Sequence, residues 1–360
     1  MPNIDEIFSQ QFFFSLLVLV AGTSCIKSQK AKKIDAIEPI LKVTPKPPEV
    51  QSADSSASVD ETPTVSTKRI KGVWISNQFE NYASESNIEN VLTDVKKMGF
   101  NTVSPVIWRN ACPLWDSSVY RNWVPQYKCP ASEMKDTFQV ILNKAQELGL
   151  RVIPWFDLGL NIDTSSSIYS YAKSHFWIIP GLEKKGRYFL NSSLVPVTNL
   201  ILSLNSELVN KYKVKELLWD DHLGIPGDDS DGAKKASLIQ FNQTLSKELK
   251  KHGVFFWLAH HKLSWAQKVY NAHWNEWSFD RFVIEAYVGN NFQKDAAEAK
   301  AIGGGIGIAA GLGSQNTWEQ AIDQVKEVMA EPDQDFFIFS YGHIKKHNTH
   351  ELQALLKASD

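Results

Sequence analysis

The chain has 360 residues, is 43% hydrophobic and 22% charged, and has a formal net charge of −2. These values suit one large globular domain or two ordinary ones with a sizeable core, and they exclude a surface built to bind nucleic acid by counterion release. Three Cys are too few for a disulfide scaffold, and no CxxC or His-rich tract points to a structural zinc site.

At the N-terminus, residues Phe12 to Gly22 form an apolar run, FFFSLLVLVAG. It is too short for a comfortable transmembrane helix and suits the core of a signal peptide. Gly22-Thr23-Ser24 leads into Cys25, which resembles a bacterial lipoprotein signal with Cys25 as the lipidated residue. Two features depart from that pattern: Gly22 stands where a branched aliphatic is usual, and Asp5 and Glu6 precede the run with no Lys or Arg. Residues 1–25 are therefore read as a signal peptide or lipoprotein signal, with the protein secreted or lipid-anchored at the bacterial cell envelope. Residues 26–67 are rich in Lys, Pro, Ser, Thr and acidic side chains. Such a segment buries too little apolar area to offset its ordering entropy, so a disordered linker is expected. In an oxidising compartment Cys112 and Cys129 can pair around CPLWDSSVYRNWVPQYKC. Closing a loop of that size stabilises by about 3 kcal/mol; the alternative is two unrelated thiols.

From residue 68 one unit recurs, an amphipathic helix ending in Gly and followed at once by an apolar run. Asn87–Met98 places Ile88, Val91, Leu92, Val95 and Met98 on one face, with Ser86 and Glu89 as a capping box, and Gly99 ends it. Further helices are expected at Asp136–Leu148, Pro196–Tyr212, Gln240–Lys251, Phe292–Ile302, Trp318–Met329 and Glu351–Lys357. Strands are expected at Gly72–Ser76, Thr102–Trp108, Arg151–Phe156, Val214–Asp220, Val254–His260, Phe282–Tyr287, Gly305–Ala310 and Phe336–Tyr341. The strand runs are apolar almost throughout, as when both faces of a parallel sheet are covered. Alternation of eight strands with helices over residues 68–360 predicts an α/β chain folded as a (β/α)8 TIM barrel. A doubly wound open sheet is the alternative, without a GxGxxG at the first turn to support it.

A TIM barrel carries its chemistry at the C-terminal ends of its strands. There the sequence gathers Trp108-Arg109-Asn110, Trp155-Phe156-Asp157, Trp219-Asp220-Asp221-His222, His260-His261, Glu285-Ala286-Tyr287 and Tyr341. Glycoside hydrolysis needs two carboxyl groups flanking the scissile bond, one to protonate the leaving oxygen and one to attack or to activate water. Asp220 is expected to face the mouth. Side-chain alternation turns Asp221 away if the strand stays extended. Glu285 is the expected partner across the mouth, its proton affinity raised by an apolar surround. The same carboxylates could instead cap helices or pair with Arg109. The 12 Trp include Trp74, Trp108, Trp155, Trp219 and Trp257 in or at the ends of strands 1 to 5; two or three can stack on sugar rings, and Trp219 is expected to face the helices. His222, His260 and His261 beside the carboxylates leave a metal-dependent hydrolase as a rival.

Six segments occur in the order found in a known family: KGVWIS (Lys71–Ser76), GFNTVSPVIWRN (Gly99–Asn110), the W-F at Trp155–Phe156, FLN (Phe189–Asn191), WDDHLGIP (Trp219–Pro226) and FIFSYGHI (Phe337–Ile344). The chain resembles the glycosyl-hydrolase-10-like barrels, the DUF187 group, over nearly all of residues 68–360. The resemblance implies an exported bacterial barrel, often a lipoprotein, some of whose relatives cleave peptidoglycan glycan strands. It also implies site roles for Asp220, Asp221, Arg109, Asn110 and Tyr287. The chain departs from the family pattern at Lys215-Glu216, where Asp-Gly is usual, and at Ile284-Glu285-Ala286-Tyr287, where Pro-Gln-x-Tyr is common. The acid role of Glu285 therefore rests on the strand-end argument alone.

Together these readings predict a glycoside hydrolase acting on an envelope or extracellular polysaccharide, with Asp220, Glu285 and Asp221 as catalytic candidates. Trp108, Arg109, Asn110, Trp155, Asp157, Asn191, His222, His260, Tyr287 and Tyr341 are the substrate-binding candidates. No cofactor, metal or nucleic acid is expected, and membrane contact only through a lipid on Cys25. A non-catalytic carbohydrate-binding barrel is the reading from a different class.

Overall fold

The computed structural model describes residues 69–76, 81–124, 136–184, 186–227, 232–287, 291–311 and 316–358. The signal and linker segments, Cys25 and Cys129 lie outside these residues; Cys112 is disulfide-bonded.

Eight strands form the barrel: β1 (Lys71–Ile75), β2 (Thr102–Arg109), β3 in two pieces (Arg151–Val152 and Trp155–Phe156), β4 (Glu216–Trp219), β5 (Phe255–His260), β6 (Arg281–Glu285), β7 (Gly305–Ala309) and β8 (Phe336–Phe339). Each pairs in parallel with the next, and β8 pairs back onto β1, so the sheet is closed and has no open barrel edge. The chain is thus a (β/α)8 TIM barrel. The helices follow the amphipathic pattern. Glu85–Met98 buries Ile88, Val91, Leu92, Val95 and Met98 and ends at Gly99, whose φ of 98° suits only a residue without Cβ. Its cap differs from expectation. Ser84, not Ser86, accepts from the Asn87 backbone N–H, so the helix starts one turn-fraction earlier. Trp318–Met329 does open on a complete capping box, Thr317 with Gln320. The unassigned stretch after β3 holds an antiparallel sheet of Asn161–Asp163, Ile178–Lys184 and Arg187–Leu190, which precedes the Val195–Tyr212 helix.

Strand alternation sorts the aromatic residues into two layers. Trp74, Trp155, Trp257, Phe337 and Phe339 meet across the barrel interior, with ring centroids 4.9 to 6.4 Å apart. Phe337 fills the space beside Gly72, where an added Cβ would lie 2.3 Å from its ring. Trp108, Phe156 and Trp219 face outward and stack in a row that ends on Tyr120 and Phe241 of the surrounding helices.

His260 also faces outward, packed against Tyr270 and Trp277, fully buried and with neither ring nitrogen in a well-formed hydrogen bond among the described residues. Burial pushes its pKa down to about 3. The unfolded chain, at the ordinary value near 6.5, binds a proton that the folded state refuses, so this contribution to stability is complete above about pH 6.5 and is lost as pH falls toward 3. We expect unfolding free energy to fall by up to about 1.4 kcal/mol per pH unit over that window through this residue alone. Urea titrations between pH 7 and 4 test it: the slope should flatten in His260→Leu, and an unchanged slope would remove His260 from the acid response.

Candidate active site

Strand β4 ends at Trp219, and Asp221–Leu223 turns at once into a single 3₁₀ turn with Asp220 as its N-cap. This break places both carboxylates in the mouth, which an extended strand could not do. The expectation that Asp221 points away is corrected accordingly. Asp220 accepts from Trp155 Nε1 at 3.0 Å and from the His222 backbone N–H at 3.0 Å. Asp221 Oδ1 lies 2.8 Å from His222 Nδ1, and its Oδ2 lies 3.3 Å from His261 Nε2; the Tyr270 hydroxyl also bonds it. His261 Nε2 is in turn 3.7 Å from Glu285 Oε2, at the end of β6. On the other side Asp157 pairs with Arg109 Nε at 3.2 Å, and Arg109 Nη1 donates to the Ser76 carbonyl at 2.6 Å. A chain of contacts thus runs round the mouth from β1 through β6.

Burial and charge separate the proton affinities of these groups. Glu285 is raised well above the carboxylate range, by burial first and then by the negative charges of Asp221 and Asp220. Asp220 is pushed up to about 7, again chiefly by burial and against the pull of His222. For Asp221 burial acts in the same direction, but the charge and hydrogen bond of His222, helped by His261, hold it well below the usual range. His222 is raised well above an ordinary imidazole because Asp221 and Asp220 outweigh its desolvation. These opposed shifts favour a proton on Glu285 beside an Asp221–His222 ion pair.

Two groups of side chains bring possible metal-ligand atoms within 4.8 Å of one another: Asp157, Asp220 and His222, and Asp221, His261 and Glu285. The second is buried throughout and has the nitrogen and oxygen donors that suit a divalent transition ion.

Of the expected site residues, the structure brings Asp220, Asp221, Glu285, Arg109, Trp155, Asp157, His222 and Tyr287 to the mouth. Tyr287 sits there between the rings of His261 and Phe339. Five others engage their side chains in contacts elsewhere in the fold. Trp108 turns its ring into the helix layer and spends its N–H on the Gly159 carbonyl, 3.0 Å away. His260 faces the helices, because Trp257 sets the inward phase of β5 and His261 therefore inherits the mouth. Tyr341 lies past the end of β8 in a short helix and donates to Asp94 of the Glu85–Met98 helix at 3.2 Å. Asn110 exchanges two hydrogen bonds with Asp163, at 2.9 and 3.0 Å, and so ties β2 to the antiparallel sheet. The Asn191 side chain accepts from the Ser193 N–H and shapes the turn before a helix. Phe339 was missed, and His261, named only for the metal-dependent rival, was left off the substrate-binding candidates, although counting in twos from an inward Trp257 reaches it.

A search of curated proteins finds no match. Solved structures do match the fold. The galactosidase domain of the α-galactosidase–sucrose kinase AgaSK superposes with a TM-score of 0.53 at 10% identity, over 81% of this chain and 40% of that one. The GH36 α-galactosidase AgaA of Geobacillus stearothermophilus gives 0.54 at 11%, over 81% and 42%. The α-galactosidase of Lactobacillus brevis gives 0.53 at 11%, over 81% and 39%. This chain spans about two-fifths of their length, and at such identities the likeness is one of fold. The family model of glycosyl hydrolase-like 10 matches residues 69–285, from the start of β1 to Glu285. That match covers more than half of the sequence and the barrel through its sixth strand, and the chain belongs to the glycosyl hydrolase-like 10 family.

Proposed function

We propose that this protein is a glycoside hydrolase cleaving O-glycosidic bonds of a cell-envelope or extracellular polysaccharide, with peptidoglycan glycan strands the first substrate to test. One observation carries the reading: two buried carboxyl groups, with oxygens within 4.8 Å, have proton affinities driven in opposite directions. Such a split supports Glu285 as the acid and Asp221 as the nucleophile. Glu285 gives its proton to the glycosidic oxygen as that bond breaks, while Asp221 bonds to the anomeric carbon. Water, deprotonated by Glu285, then displaces Asp221 and restores both groups. With oxygens within 4.8 Å, the pair lies nearer the about 5–5.5 Å separation of retaining enzymes than the about 6.5–9.5 Å of inverting ones, which supports retention. Asp220, bound by Trp155 and His222, positions the His222 that keeps Asp221 ionised. The Phe12–Gly22 run and a bonded Cys112 support export to an oxidising compartment.

The test is release of reducing ends from peptidoglycan glycan strands and a polysaccharide panel, with the first-formed anomer read by NMR. Wild type should cleave with retention, and Asp221→Asn should bind glycan without cleaving it. Binding without cleavage by either protein would make the barrel a carbohydrate-binding module. The Asp221–His261–Glu285 cluster favours one other reading, a metal-dependent hydrolase; loss of cleavage with a chelator and its return with a divalent ion would establish that instead.

A further inference from the structure

We infer that Ser76, Ser340 and His343 form a hydroxyl-reading subsite on the β8–β1 side of the mouth, across from the carboxyl cluster, for a neutral pyranose lying against Phe339. The inference rests on the glycoside-hydrolase reading and extends it to residues that reading does not use.

Ser340 directly follows β8 and stands at the N-cap of the short Tyr341–Ile344 helix, where a serine hydroxyl ordinarily accepts a backbone N–H. Here it makes no such cap. It accepts instead from Ser76 Oγ at 3.1 Å and lies 3.2 Å from His343 Nδ1. A hydroxyl has one proton to give. With Ser76 donating to it, Ser340 uses its own proton by donating to Nδ1, and we take His343 as the Nε2–H tautomer that this arrangement favours. Burial, reinforced by Lys346 and His347, lowers the His343 pKa to about 4, so the ring stays neutral at physiological pH. Nε2–H is then a donor held in one orientation, on a half-buried residue, with no hydrogen-bond partner among the described residues.

Its surroundings fit a sugar. The His343 ring lies 5.9 Å from Phe339, a half-buried ring that also meets Tyr287 at 5.6 Å and Trp155 at 6.3 Å. Phe339 therefore offers an apolar face in the mouth, beside a fixed donor, which is the pairing that a pyranose with axial C–H groups and equatorial hydroxyls uses. Ser76 is also linked to the carboxyl cluster, since its carbonyl accepts from Arg109 and Arg109 pairs with Asp157.

The experiment compares wild type, His343→Ala, His343→Gln and Ser340→Ala as full chains. The probe is peptide-free peptidoglycan glycan strands or, if wild type cleaves another member of the panel, that polysaccharide. Loss of one neutral donor should raise KM roughly 5–20-fold in His343→Ala with kcat within about 3-fold. Ser340→Ala should move KM in the same direction by less, and His343→Gln, which keeps an N–H donor, should recover most of the loss. Melting temperatures matching wild type separate this pattern from a folding defect. KM unchanged in both alanine variants, or a fall in kcat at constant KM, overturns the subsite while leaving the hydrolase reading intact. A wild type that neither binds nor cleaves any glycan overturns the hydrolase reading and this subsite with it.

Discussion

Replacing Glu285 by Gln is expected to lower kcat on a natural glycan about 10³-fold while leaving glycan binding intact, the scale of losing a positioned general acid. Glutamine keeps the shape and hydrogen-bonding ends of the side chain but has no acidic proton. The wild-type pH profile supplies a second reading. A carboxyl group serves as an acid only while protonated. Burial and the charges of Asp221 and Asp220 raise Glu285 well above the usual carboxylate range. Activity should therefore extend to higher pH than an ordinary carboxyl acid allows and decline as pH rises through that elevated folded-state pKa. Residual activity in Glu285→Gln should lack this alkaline limb. Turnover within about 10-fold of wild type would remove Glu285 from the acid role, because positioned proton donors contribute about 10²–10⁴-fold.

Replacing Glu216 by Leu is expected to destabilise the barrel by up to about 3 kcal/mol, the lower end of the penalty for orphaning a buried charge, because Arg151 is only partly buried. Glu216 points into the barrel interior. It takes Arg151 Nε at 2.5 Å and Arg151 Nη2 on its second oxygen, and it accepts Trp257 Nε1 at 3.0 Å. Once Glu216 is gone, the Arg151 guanidinium keeps, among the described residues, the face of the Trp257 ring, 5.9 Å away. Two apolar groups are better tolerated inside than one orphaned charge, so Arg151→Leu/Glu216→Leu should recover part of the loss. Urea denaturation of the two variants checks this. A single mutant within about 1 kcal/mol of wild type would mean that water reaches Arg151, as it does at exposed pairs. The ion pair also gives Glu216 a structural role at the barrel floor, where its carboxylate joins Arg151 and Trp257.

Much of the architecture was legible because it rests on local chemistry. Gly99 ends a helix wherever an amphipathic run meets a strand, and apolar runs bounded by such stops mark the barrel strands. The gathering of Asp220, Asp221, Glu285, Arg109 and Asp157 at strand ends was legible too, because the barrel topology predicts where strand ends collect. The errors share a cause. Trp108 and Arg109, or His260 and His261, are adjacent polar or aromatic positions on strands with period 2. The sequence admits either phase, and one residue of shift exchanges mouth for helix layer. Asp221 escaped the alternation rule only because β4 stops at Trp219 and the chain turns. Tyr341 was drawn away because β8 stops at Phe339 and a helix begins.

By itself, then, the sequence determined the order of strands and helices, the barrel they make and the kinds of side chain at its mouth, since these follow from periodicity, capping and turn chemistry within a few residues. Only the tertiary structure decided which neighbour of each pair faces inward, because closing eight strands around one interior selects a single phase for all of them. It also decided the chemistry at the mouth. Asp221, His261 and Glu285 come from three different strand ends, and a carboxyl group keeps or loses its proton according to the charges and burial that such distant segments bring within a few ångströms.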